Sequence, residues 1–144
     1  MPLETIFTIA NMTALSGWVL LAATPLIPRF AVLTAGRIIP LLLSVAYSGL
    51  LLAYWSRAQG GYDSLANVMQ LFSMPEMVLA GWIHYLAFDL FVGAWETKVA
   101  REEGIPHLLL LPCLLLTFLF GPAGLLAFLA IRAARSSART ALAA

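Results

Sequence analysis

The sequence predicts an all-α polytopic membrane protein of four transmembrane helices, with a short interfacial amphipathic helix between the second and third. Two observations carry this. Of 144 residues, 62% are apolar and 10% charged, against about 45–50% and about 25% in soluble domains, so the charged side chains cannot cover a soluble surface of this size. Four stretches also reach the roughly 20 mainly apolar residues that a transmembrane helix needs. They run from Ile6 to Ile27, Arg37 to Trp55, Met77 to Trp95 and Leu108 to Ile131. The chain therefore reads as one transmembrane domain, 1–131, followed by a basic tail, 132–144.

Each element has a local reason. The first span lacks the basic leader and small-residue cleavage site of a signal peptide, and Pro25 and Pro28 close it. Gly36 precedes the second span, and Tyr54 and Trp55 end it as interfacial aromatics. Leu65, Val68, Met69 and Phe72 recur at helical spacing opposite Asp63, Ser64, Asn67 and Gln70, which predicts a helix lying on the membrane surface. Ser73 to Glu76 reads as a capping box that opens the third span. Gly121-Pro122-Ala123-Gly124 reads as a kink or close-packing point in the fourth. Four spans put both termini on one side. Lys and Arg then divide four against four, with Arg57, Arg132, Arg135 and Arg139 beside the termini. The basic edge of the tail favours both termini in the cytoplasm.

Several function classes drop out. A net charge of +1 leaves no electrostatic footprint for nucleic acid. One cysteine, Cys113, excludes an internal disulfide, and two histidines with it make no ordinary zinc site. No phosphate loop, GxSxG or HExxH is present. Paired haem ligation by His84 and His107 fails because the two imidazoles lie roughly 18 Å apart in depth on regular helices. No cofactor or metal is expected.

Chemistry belongs where ionisable groups enter hydrocarbon, which costs about 2.5–3.5 kcal/mol for a central charge on insertion scales. The third span places Trp82, Tyr85, Asp89, Gly93 and Glu96 on one face. His84 points about 140° away, towards Phe88, Phe91 and Trp95. Asp89 and His84 are the candidate catalytic pair. Trp82, Tyr85, Phe88, Phe91, Asn11 and Tyr47 are the candidate ligand contacts. A polar layer from all four spans, joining Ser44, Tyr47, Ser48 and Thr117 to Asp89 and Asn11 to His84, is expected from depth. The bland readings stay open: a structural Asp89 bonded to Tyr47 or Ser44, a His84 bonded to Asn11, and a Glu96 paired with Lys98, Arg101 or Arg37 at the interface.

Phe72-Ser73, Trp82-Ile83-His84, Asp89-Leu90-Phe91, Pro122 and Gly124, together with Asn11, Trp18 and Pro25, resemble the abscisic-acid-deficient-four family of plastid neoxanthin synthases and their bacterial relatives. The likeness covers nearly the whole chain, and its compact length resembles the bacterial members. It implies a four-helix membrane fold and, by analogy with the plant proteins, an isomerase that opens the epoxide of a violaxanthin-like carotenoid to an allene. Val92-Gly93-Ala94 departs from the plastid pattern, where a basic residue is expected. The residues supply what the step needs: an acid, Asp89, and a base, His84, with those roles open to reversal. The rival reading is a non-catalytic protein that binds a carotenoid or other isoprenoid, or supports a larger complex. The expected partners are the lipid bilayer and a carotenoid or isoprenoid ligand in a bacterial cytoplasmic membrane. Oligomerisation is left open.

Overall fold

A computed structural model describes the backbone of residues 1–143 and the side chains of residues 1–137. Helix is the sole regular structure among them, in the order α1 (Leu3–Ala22), α2 (Pro28–Leu33), a π-helical turn (Thr34–Ile38), α3 (Ile39–Tyr54), a 3₁₀ turn (Trp55–Arg57), α4 (Leu65–Leu71), α5 (Pro75–Glu102), α6 (His107–Phe120) and α7 (Pro122–Ala143). Arg139 lies outside the described side chains.

Three segments are long and apolar enough to cross a membrane: Leu3–Ala22, Pro28–Arg57 and Pro75–Glu102. They pack around α5, the most buried of the three. Close approach is set by small residues. A Cβ at Gly17 would meet Leu90 at 2.6 Å, one at Gly93 would meet Trp18 at 2.6 Å, and one at Gly36 would meet Ala94 at 3.0 Å. These pairs also give direction: α1 runs parallel to α5, and α3 runs antiparallel, from Gly36 beside Ala94 to Tyr47 beside His84.

The second span differs from expectation. Its helix starts at Pro28, nine residues earlier than Arg37, because a proline at the first helical position forfeits only an amide that has no partner there. Gly36, expected to precede the span, sits inside the π turn. The widened turn falls where Pro40 has no N–H to give to the Gly36 carbonyl.

The capping box does not form. Met74 occupies the cap of α5 without a side-chain bond, and Pro75 opens the helix. Ser73 Oγ instead donates to the Gln70 carbonyl at 2.6 Å, at the end of α4. The short helix expected between the second and third spans forms at Leu65–Leu71, with Ser64 at its N-cap accepting from the Asn67 amide at 3.2 Å.

The fourth span is where the fold departs most. α6 has 14 residues, about 21 Å of helix, against a hydrocarbon core of about 30 Å. It ends at Gly121, whose φ of +45° suits glycine alone. The chain then reverses. A Cβ at Gly124 would fall 2.1 Å from the Thr117 amide nitrogen, so α6 and α7 meet backbone to backbone just past the turn. α7 climbs back along α5, with Phe128 5.7 Å from Trp95 and Arg132 Nε donating to Glu103 at 2.8 Å. Leu108 to Ile131 is thus a helical hairpin that enters and leaves at one end of the bundle. Leu3 and Glu4 lie by Pro75 at one end of the bundle, and Arg132 lies by Glu103 at the other.

Candidate functional site

The polar face expected of α5 is present, and the hairpin explains it. Helix ends at membrane depth must satisfy their backbone groups from protein, since lipid offers no hydrogen bonds. Tyr85 donates its hydroxyl hydrogen to the Phe118 carbonyl at 3.0 Å. Thr117 Oγ1 reaches both carboxylate oxygens of Glu96, at 3.0 and 3.1 Å. Gly121 donates its amide to the Thr117 carbonyl at 2.9 Å. His107 donates to the Ala22 carbonyl at 2.9 Å, tying the start of α6 to the end of α1.

Asp89 sits at the hairpin apex. A Cβ at Gly121 would lie 2.9 Å from its Oδ1, and Oδ2 is buried without a hydrogen-bond partner among the described residues. Tyr85 neighbours the same carboxyl, but its hydrogen goes to Phe118. Below Asp89 the hairpin no longer covers α5, and Trp82 is 40% exposed. Trp82 Nε1 donates to Asn11 Oδ1 at 3.1 Å, and its ring lies 5.3 Å from Tyr85. Asp89, Tyr85, Trp82 and Asn11 therefore make one polar-aromatic seam that borders lipid at mid-depth.

His84 belongs to a different face. Its ring lies 4.6 Å from Phe88 and 5.6 Å from Tyr47, in a groove of about 440 Å³ that Phe72 and Tyr62 also line. The single polar layer expected from all four spans splits in three: Asn11 with Trp82, Tyr47 with His84, and Thr117 with Glu96. Asn11 bonds Trp82 rather than His84, and Ser44 and Ser48 face outward. Phe91 stands apart from both sites, in a groove at the far end of α5 with Arg37 and Lys98.

Glu96 was expected at the interface with a basic partner and is instead fully buried on Thr117. Seven residues past Asp89 on the same face, it shares the wall on which the hairpin rests. The signal available in the sequence was the Gly121–Gly124 motif in mid-span: a broken helix there needs polar neighbours, and Asp89 and Glu96 are the polar residues at that depth. The described residues contain no group of three or more His, Cys, Asp or Glu side chains placed to hold a metal ion.

No curated protein and no solved structure matches the chain significantly. The family model for ABA4-like proteins, described as ABA DEFICIENT 4-like, matches residues 5–128, from the first turns of α1 to Phe128 of the returning helix. That match takes in α5 and both limbs of the hairpin, and by it the chain belongs to the ABA DEFICIENT 4-like family.

Proposed function

We propose that this protein is a membrane-embedded isomerase of carotenoid-like polyenes and that Asp89 carries the proton it moves. The observation behind the reading is Asp89 Oδ2, a carboxylate oxygen left without a partner at mid-depth. Ionisable groups so placed are functional by default. Family membership supports a carotenoid as the ligand class. A polyene entering sideways from lipid meets Trp82 and Tyr85 before Asp89.

The chemistry needs one carboxyl used twice. Neutral Asp89 gives its proton to an epoxide oxygen as a C–O bond breaks. The carboxylate so formed takes a proton from the neighbouring polyene carbon, and that C–H pair becomes a new double bond. The product gains one hydroxyl and one cumulated double bond, loses one epoxide, and keeps the composition of the substrate. His84 lies about 140° around α5, too far for both groups to serve one ring directly, so its role is ligand contact with Tyr47 and Phe88. The membrane is read as the bacterial cytoplasmic one.

Asp89→Asn tests this, since it keeps size and hydrogen bonding and loses the proton. Wild-type protein incubated with violaxanthin should yield an isomer of equal mass and shifted absorption, and the variant none. Wild-type yield from the variant rejects the role of Asp89. A second reading, a non-catalytic carotenoid or isoprenoid binder, draws support from the packing of Asp89 against Gly121 at the start of α7, where a carboxylate complements the helix N-terminus. It expects every epoxidised and non-epoxidised carotenoid to be returned unchanged by folded wild-type protein.

A further inference from the structure

The two ends of the bundle are charged unequally. Arg29, Arg37, Lys98, Arg101, Arg132 and Arg135 gather at the Glu103 end, and Arg57 lies with α4 at the other. Of the six, Arg132 is held by Glu103, Arg135 reaches the Gly104 carbonyl, and Lys98 stands 3.8 Å from Glu102 in an exposed pair. The side chains of Arg29, Arg37 and Arg101 have no acceptor among the described residues.

These three and Lys98 line one groove of about 510 Å³ between α2, the π turn and α5. Its lower walls are Leu33 and Phe91, both exposed. From Phe91 to Lys98 is seven residues, about 10 Å along the helix. A ligand in this groove thus meets cations at the membrane surface and apolar walls one step deeper. The π turn and α5 approach closely here, because a Cβ at Gly36 would lie only 3.0 Å from that of Ala94.

We infer that this groove binds the headgroup of an anionic phospholipid, with its acyl chains lying along Leu33 and Phe91. Guanidinium groups match phosphate oxygens two at a time, and basic pockets between helices on the cytoplasmic side select anionic headgroups. The excess of cations places this end in the cytoplasm. The inference is independent of what Asp89 does.

The test presents the full-length protein with vesicles of equal phosphatidylglycerol and phosphatidylcholine, matched in acyl chains, and identifies retained lipid by native mass spectrometry. The wild type should retain phosphatidylglycerol preferentially. Arg37→Gln and Arg101→Gln should each weaken that preference roughly fivefold. Arg37→Lys should keep most of it, and Arg57→Gln, at the opposite end, all of it. Equal retention of both lipids by the wild type overturns the inference, as does a preference that survives the double Arg37→Gln, Arg101→Gln variant. Displacement of the retained lipid by excess inorganic phosphate would also overturn it, in favour of a free-anion site.

Discussion

The three segments long enough to cross a membrane and the α6–α7 hairpin are both apolar, yet they are held in different ways. Among α1, α3 and α5 the contacts are mostly van der Waals ones at small residues, as at Gly17 with Leu90 and Gly36 with Ala94, with a side-chain hydrogen bond from Trp82 to Asn11 joining α5 to α1. Lipid tails compete equally for apolar side chains, so close backbone approach is what favours association. The hairpin is held by hydrogen bonds: Thr117 to Glu96, Tyr85 to the Phe118 carbonyl, His107 to the Ala22 carbonyl. A helix that crosses fully satisfies its own backbone in hydrocarbon. One that stops halfway exposes chain ends there, and the surrounding protein must answer them. The polar residues of α5 are therefore concentrated on the wall facing the break.

That contrast can be broken outright by topology. With Cys113 replaced by Ala, cysteines at Glu102 and Ser136 should react with an impermeant maleimide from the same side, and one at Ser56 from the other. Labelling of Glu102 and Ser136 positions from opposite sides would restore four crossings and remove the hairpin.

The next effect is on the apex. Gly124→Ala would put a methyl 2.1 Å from Thr117 backbone and hydroxyl, which the turn can absorb only by opening. We expect a loss of about 3 kcal/mol or more, seen as a steep fall in Tm and folded yield. Gly49→Ala, with nothing within 4 Å of the new atom, should leave both unchanged.

A smaller loss separates the two carboxylates of the wall. Thr117→Val leaves buried Glu96 without its donor and should cost about 1–3 kcal/mol in thermal unfolding. Asp89→Asn should cost less than about 1 kcal/mol, because Oδ2 has no partner to lose. If the Asp89 variant is destabilised as much as the Thr117 variant, Asp89 is structural and the proposed chemistry fails.

The smallest effect lies outside the membrane. The Asn67 side chain donates to Asp63 at 2.8 Å and holds its carboxyl below the ordinary value of 3.8. A lowered folded-state pKa stabilises above the unfolded value and ceases to do so as pH falls through the folded one. Hydrogen exchange at Asn67 and Val68 should quicken only below pH 3.8, with α5 still protected. Acid-induced opening of α5 over the same range would show that α4 and the bundle are not independent.

The sequence made α5 legible down to its faces because helical periodicity is local: Trp82, Tyr85, Asp89 and Glu96 share a side, and His84 does not. It made α4 legible for the same reason. The hairpin was not, since a 24-residue stretch of mainly apolar residues with a Gly-Pro pair in its middle satisfies a hydropathy window whether the chain passes through or doubles back. What distinguishes the outcomes is the fit of Gly124 to Thr117 across the break at Gly121 and of Arg132 to Glu103, contacts that the periodicity of an unbroken helix does not specify. The misplacement of Glu96 followed from that: with a straight fourth helix it had no reason to be buried, and with the hairpin it has one.

The returning helix also bears on how the protein is made. A straight fourth helix would oblige the membrane-insertion machinery to pass Arg132 and Arg135 through hydrocarbon behind it. With the hairpin, both stay on the side where α5 was completed, and α6 and α7 can slide in together as a paired wedge once α5 offers Glu96 and Asp89 as docking points. The charged side chains at the opposite end, Glu4 and those around α4, Arg57, Asp63 and Glu76, all precede the last two helices in the chain. Insertion of the last two helices would accordingly wait on the third crossing and would not depend on the membrane potential.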